Sequence, residues 1–278
     1  MKLGELTLNV ISDGRLRLDG GALFGAVPKL LWERKLKPDR RNRVVLGLNC
    51  LLIRSPQRTV LVDTGVGIKL SDALKERYGF TSSHLIRSLR ACGVTPREVD
   101  TVVLTHLHFD HAGGSTKYDR SGNPVATFPR AKYLIQRACW EEANAPNERN
   151  RASYRPEDFL PLMERAQVQL LDGDAEIMPH VWARPTGGHS LGHQIVTIEG
   201  RSERIAFLGD LVPTNYHLGL PYIAAFDDAP NETLEQKRRL LALIEREGWL
   251  MVFSHDDTYK AGYLDQRNGK LLFRAVEL

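Results

Sequence analysis

The sequence lacks most of the features that would take it outside ordinary globular chemistry. It has three cysteines in 278 residues, Cys50, Cys92 and Cys139, widely spaced and with no C-x-x-C pair. An odd and scattered set excludes a disulfide framework and fits a reducing compartment, so these side chains are expected to pack. No uninterrupted apolar run approaches the ~20 residues of a transmembrane helix. The opening MKLGELTLNV alternates like a strand and has no apolar signal core. No membrane partner is therefore expected, and the expected location is cytoplasmic. Charge of one sign is also scarce: 38 Lys and Arg against 34 Asp and Glu leave a formal net charge of +4, too weak at this length to argue for nucleic acid. The densest basic run, ERKLKPDRRNR at 33–43, reads as a solvated loop. With no low-complexity tract and no linker rich in Pro, Gly or Ser, residues 1–278 read as one domain.

What is present is a long series of strands. Hydrophobic residues make up 42% and charged residues 26% of the chain, the balance of a globular protein with a sizeable core. LTLNVISDG alternates and is expected to end at its DG turn, and NCLLIRS and RTVLVDTG flank SPQ as a hairpin. SDALKERYGF and TSSHLIRSLRACGV read as helices, with Ser71 and Thr81 as caps and Gly93 as a stop. DTVVLTH is a short β-branched run that predicts a buried strand. AKYLIQ reads as a strand, followed by helices at RACWEEAN and PEDFLPLMERA. VQLLDGD, IMPHVWARPT, HQIVTIEG, RIAFLGD and WLMVFSHD are further strands. NETLEQKRRLLALIERE is the clearest helix, with Asn231 as cap and Leu234, Leu240, Leu241 and Ile244 on one face. YLDQRNGKLLFRAV closes the chain as a hairpin around Asn268-Gly269. The order strands, helices, strands recurs in each half, which predicts two sheets packed face to face with helices outside.

The strongest chemical signal is THLHFDHAGG at 105–114, with His106, His108, Asp110 and His111 directly after the buried strand. Residues two apart on an extended chain share a side, so His106 and His108 can converge on one cation. The chain then turns, and Asp110 and His111 can face a second. Imidazole and carboxylate suit zinc and similar divalent metals. His189, Asp210 and His255 also stand immediately after apolar strands, at one rim of the expected sheets. PTGGHSLGHQ at 185–194 offers a rival, because Gly188-His189-Ser190-Leu191-Gly192 fits the G-x-S-x-G nucleophile elbow, with Asp210 and His255 following in triad order. An elbow needs a helix after its serine, whereas HQIVTIEG alternates like a strand. The metal pattern accounts for seven residues and the elbow for three, so Ser190 reads as a loop residue.

On these residues the chain resembles the metallo-β-lactamase superfamily, whose metal signature is H-x-H-x-D-H followed by His, Asp and His. Within it, the chain resembles the quorum-quenching N-acyl-homoserine lactonases, on DGGALFGAVPKLLWE (19–33), TGGHSLGH (186–193), GDLVPTNYHLGLPYIAAFDDAPNETLEQK (209–237) and HDDTYKAGY (255–263). The resemblance implies an α+β fold, a four-layer αββα sandwich with the metal site at one rim of the two sheets. It implies two Zn2+ ions, one held by His106, His108 and His189, the other by Asp110, His111 and His255, with Asp210 bridging. Asp63 of the DTG turn would steady a ligand histidine. The implied reaction is hydroxide attack on a carbonyl, with Asp110 or Asp210 moving the proton. The implied substrate is a small ester or lactone. The β-lactam, glyoxalase II thioester and organophosphate hydrolases of the same fold remain alternatives, as does a non-catalytic binding protein.

Better-studied homoserine lactonases carry a tyrosine near the bridging aspartate where this chain has Pro213. Tyr216 and His217 stand nearby as substitutes, and loop packing accounts for them equally well. GGALFGAVPKLLWE at 20–33 is too irregular for a core strand and too apolar for a free loop. Its Phe24 and Trp32 are expected to wall a substrate pocket, shared with a homodimer partner. An ordinary core segment is the other reading.

Overall fold

The apolar runs pair into two seven-stranded sheets. The computed structural model describes residues 1–200, 203–267 and 270–277. The first sheet begins with β1 (Lys2–Leu3), β2 (Leu6–Asp19), β3 (Arg43–Arg54), β4 (Thr59–Val62) and β5 (Thr101–Val103). A two-stranded ribbon, β6 (Thr116–Tyr118) and β7 (Pro124–Ala126), stands apart. β8 (Lys132–Gln136) and β9 (Val168–Leu171) complete the first sheet beside β5. The second sheet runs in chain order through β10 (Ala175–Met178), β11 (Val181–Pro185), β12 (Gln194–Glu199), β13 (Arg204–Phe207), β14 (Leu250–Val252), β15 (Ala261–Arg267) and β16 (Lys270–Val276).

Strand periodicity makes the layers. Leu51 and Ile53 of β3, Val60 and Val62 of β4, Ile205 and Phe207 of β13, and Leu250 and Val252 of β14 share one cluster between the sheets. The intervening residues face outward. Cys50, Leu52 and Leu61 pack with Leu85, Leu89, Phe159 and Leu162 of the helices on one side. Ala206 and Met251 pack with Leu241 and Ile244 of the helix Pro230–Glu247 on the other. These central strands are covered on both faces, which is why they read as continuous apolar runs. The result is the expected four-layer αββα sandwich.

Strand direction then places the site. β4 runs parallel to β5, and β13 parallel to β14, so the carboxyl ends of each pair lie side by side. Asp63, the His106–His111 segment, Asp210 and His255 all leave from those ends, where open α/β sheets commonly bind ligands.

The structure corrects four local expectations. β2 does not end at Asp13-Gly14; it continues to Asp19 through a bulge between Ser12 and Arg15, where Gly14 takes φ +129°. The helix after Thr81 spans Leu85–Ala91, and Thr81 does not cap it. Its acceptor is the Asp13 carboxylate at the bulge, which takes the amides of His84 and Leu85 at 3.0 Å, the Ser83 hydroxyl, and the amide of Gly67 at 2.9 Å. IMPHVWARPT is two strands, β10 and β11, joined at Pro179-His180, where His180 has φ +69°. In the long helix Pro230 occupies the first turn and Ala229 the cap, so Asn231 lies inside; its buried stripe is Thr233, Lys237, Leu241 and Ile244. β15 and β16 pair as the closing hairpin, and its Asn268-Gly269 turn lies outside the described residues.

Asp13 is fully buried and holds together the bulge, the helix start and the loop at Gly67. Asp13→Ala strands three donors, since the His84 amide keeps the Asp13 carbonyl at 2.8 Å, and is expected to lower unfolding free energy by about 2–4 kcal/mol in urea titrations, with Asp13→Asn, which keeps one acceptor oxygen, in between. A loss below about 0.5 kcal/mol would contradict this remote cap.

Candidate metal centre

The seven residues picked out in the sequence meet at the rim. His106, His108 and His189 form one group whose donor atoms lie within 4.8 Å of one another, and Asp110, His111 and His255 form a second. Asp210 stands between them. Its Oδ1 lies 3.2 Å from Nε2 of both His111 and His255, and its Oδ2 lies 3.5 Å from Nε2 of His189. Asp110 Oδ2 is 3.7 Å from His255 Nε2.

Four of the five rings are tethered from behind, and the tethers assign their tautomers, while His108 Nδ1 faces His189 Nε2 at 3.1 Å. His111 Nδ1 donates to Asp63 Oδ2 at 2.8 Å, His255 Nδ1 to the Gly47 carbonyl at 2.8 Å, and His189 Nδ1 to Asp227 Oδ1 at 2.8 Å. Thr105 gives its hydroxyl proton to Asp63, so its oxygen accepts from His106 Nδ1 at 3.0 Å. In each case the opposite nitrogen keeps a lone pair aimed inward. His106 Nε2 is buried and has no hydrogen-bond partner among the described residues. His111 and His255 bring their Nε2 atoms to 2.9 Å of each other. Facing lone pairs repel unless positive charge sits among them, so this donor set fits divalent cations.

The electrostatics show where positive charge is favoured. Burial and the neighbouring imidazoles hold His106 and His108 well below the ordinary histidine value, so both are neutral. Burial also pulls on His111, His189 and His255, but Asp210, with Asp63 and Asp227 behind, outweighs it and holds them above that value. Burial would raise Asp210, yet His255, His111 and His189 keep its carboxyl well below the usual range.

The glycines after the motif make this packing possible. A Cβ on Gly113 would stand 2.3 Å from the Val66 carbonyl oxygen, and one on Gly114 would stand 2.1 Å from that of Thr64. The DTG turn and the histidine segment therefore touch backbone to backbone, with the Thr64 amide and hydroxyl both donating to the His111 carbonyl at 2.7 and 2.8 Å. Lys69 Nζ donates to the carbonyls of Gly113 and Thr116 and pairs with Asp158 at 3.0 Å, all buried.

Several participants carry no motif. Asp227 orients His189 and accepts from the Thr233 hydroxyl at 2.9 Å. His193 Nε2 accepts from the Asp210 amide at 3.0 Å, and Ser254 Oγ donates to Asp210 Oδ1 at 3.0 Å. Only proximity to the ligands in sequence could have hinted at His193 and Ser254; Asp227 had no signal.

A cleft opens on the centre beside His108, Asp110, Asp210 and His255, with Leu18, Ala22, Leu23, Leu46, Tyr78, Tyr222, Ile223 and Phe226 among its walls. The 20–33 segment does face it, but through Ala22 and Leu23. Phe24 and Trp32 are buried behind that wall, stacked at 5.2 Å between ring centroids, while Leu30 and Leu31 are 70% and 51% exposed. His217 lines the cleft, but both ring nitrogens are engaged, Nδ1 with Thr214 Oγ1 at 2.8 Å and Nε2 with the Leu23 carbonyl at 3.1 Å. Burial pushes its pKa down to about 4, so it is a neutral wall element. Tyr216 packs with the aromatic cluster and is not among the lining residues. The phenols that line the cleft are those of Tyr78 and Tyr222.

A family model described as the metallo-beta-lactamase superfamily matches residues 43–255. An N-acyl homoserine lactonase of Bacillus cereus is 26% identical over 235 residues, which cover 80% of this chain and 86% of the relative. The structure of a probable metal-dependent hydrolase from Staphylococcus aureus aligns over 100% of this chain and 99% of its own, with 31% identity and a TM-score of 0.91. AidC, a dizinc quorum-quenching lactonase solved with a bound product, aligns over 100% of this chain and 97% of its own with a TM-score of 0.81. At 18% identity that likeness is one of fold.

Ser190 is fully buried, its Oγ has no hydrogen-bond partner among the described residues, and β12 follows it where an elbow needs a helix. Removing an unsatisfied hydroxyl relieves a cost, so Ser190→Ala should melt at the wild-type temperature or above it, by up to about 1 kcal/mol. A drop larger than that would reveal a bond to this hydroxyl and reopen the serine reading.

Proposed function

This chain belongs to the metallo-β-lactamase superfamily, and from that premise we propose that it is a dinuclear zinc hydrolase that opens lactones, N-acyl-homoserine lactones first among them. The observation that carries the reading is the placement of Asp210 between two separate donor groups, His106/His108/His189 and Asp110/His111/His255. Seven donors exceed the three or four that a single zinc takes from protein. The lactonase relatives supply the substrate class.

Zinc ions held there would supply Lewis acidity toward the carbonyl and acidify a water to a pKa near 7. The chain's residues do the rest. Asp210 and Asp110 both line the cleft, so either carboxylate can take a proton from the attacking water and return it to the ring oxygen as the C–O bond breaks. The product is a hydroxy acid. His217, neutral and doubly bonded, takes no proton. Leu18, Leu23, Leu46, Ile223 and Phe226 offer the acyl chain an apolar wall, worth about 0.8 kcal/mol per methylene buried. No helix among the described residues is long and apolar enough to cross a membrane.

A panel of acyl-homoserine lactones, β-lactams, thioesters and phosphotriesters, assayed with and without chelator, tests the proposal. Lactones should be the preferred substrates, activity should vanish with chelator and return with zinc, and elemental analysis should give two metals per chain. Asp210→Ala should lose at least ~100-fold in kcat/KM together with bound metal. Full activity in chelator, or a stoichiometry of one after supplementation, would overturn the dinuclear reading.

A further inference from the structure

The helix Pro230–Glu247 buries a charge that the chemistry above does not use. Its inward stripe is Thr233, Lys237, Leu241 and Ile244, and Lys237 is fully buried. Among the described residues no carboxylate lies within ion-pair distance of its ammonium. Its Nζ donates instead to the carbonyl oxygens of Gly219 at 3.0 Å, Leu220 at 3.5 Å and Tyr222 at 2.6 Å. Three donors thus meet three acceptors, the full capacity of the group. Burial pushes its pKa down to about 8. A buried lysine without an acid costs stability, and three inward-facing carbonyls without a donor would cost more.

Those carbonyls belong to a turn, closed by the Tyr222 amide on the Gly219 carbonyl at 3.0 Å. Its last residue, Tyr222, and the next two, Ile223 and Ala224, line the cleft. They sit tightly against the segment opposite. The Ala225 amide donates to the Ala22 carbonyl at 2.8 Å, and a Cβ on Gly25 would stand 2.2 Å from the Ile223 carbonyl oxygen. One turn earlier on the same stripe, Thr233 bonds Asp227, which orients His189. The helix therefore serves the centre through Thr233 and the cleft wall through Lys237.

We propose that Lys237 is a positioning residue for specificity: it holds the Gly219–Tyr222 turn, and so sets the Tyr222–Ala224 wall against which the apolar part of the substrate lies. This rests on the lactonase reading of the cleft, and its test separates the two. Lys237→Met keeps the stem and removes the donors. In the metal-loaded enzyme, amide exchange over 219–226 should quicken by about 10-fold or more while that of β13 and β14 stays put. KM for a decanoyl lactone should rise by about 10-fold, with kcat, metal content and KM for an acetyl lactone within about twofold of wild type. Lys237→Arg, which keeps the donors, should restore the long-chain KM at least in part. If Lys237→Met does not fold, Lys237→Gln, a shorter neutral donor, is expected to change the same readouts in the same direction by less. Unchanged exchange over 219–226, a uniform rise across the protein, or an Arg variant as impaired as the Met variant would assign Lys237 to packing alone. If the wild type opens no lactone, the lactonase reading fails while the exchange data still judge the anchor.

Discussion

Five imidazoles and two carboxylates crowd one rim, and the rest of the structure exists to keep their lone pairs pointing at each other. Left to itself such a cluster flies apart or turns its rings over. It is held because four of the five rings, those of His106, His111, His189 and His255, donate a far proton to a fixed acceptor in the scaffold. Asp63 comes from the end of β4, Gly47 from β3 and Asp227 from the loop before the long helix. Asp63 and Gly47 belong to the first sheet and Asp227 to the loop entering a helix layer, while His189 and His255 leave strands of the second sheet, so the centre forms only when the whole sandwich does. The parallel pairs β4–β5 and β13–β14 are the topological part of the same constraint, since they deliver Asp63, the His106–His111 segment, Asp210 and His255 to one edge.

The sheets and the ligands were legible for a common reason. Strands covered on both faces must be apolar throughout, and polar residues set at their ends stand out against that background. DTVVLTHLHFDH and RIAFLGD show both features in one glance at the sequence. The same contrast disposes of the serine motif, because the residues after Ser190 have a strand's pattern and fold as β12.

What was not legible depends on contacts between distant segments. Thr81 is a reasonable cap by its residue type, yet Asp13, some 70 positions earlier, caps the next helix across a bulge. Asp227 looked like one aspartate among many, and only the fold puts it behind His189. Phe24 and Trp32 show the converse error. Large aromatics in an irregular segment were read as a substrate wall, but the stack of Phe24 on Trp32 and on His217, at 5.2 and 5.0 Å, makes them the packing that supports Leu23. Hydropathy reports that a side chain is buried; it does not report whether a ligand or the protein buries it.

The separation between centre and wall has a consequence for how such a site can vary. The ligand residues are bound into one network through Asp210, Asp63 and Asp227, and a change in any of them perturbs the others. The wall is attached differently. Ile223 and Ala224 are held by the bond that follows them, from the Ala225 amide to the Ala22 carbonyl, and by the turn that Lys237 holds, neither of which passes through a ligand. Side chains along 222–225 can therefore change size with the centre undisturbed, provided the carbonyls beneath keep their donor, whereas Phe226 packs edge-on against the His189 ring at 5.8 Å. A scaffold arranged this way keeps one metal centre constant and leaves the shape of the cleft beside it free to differ, which fits a superfamily whose members share the metal motif and differ in what they cleave.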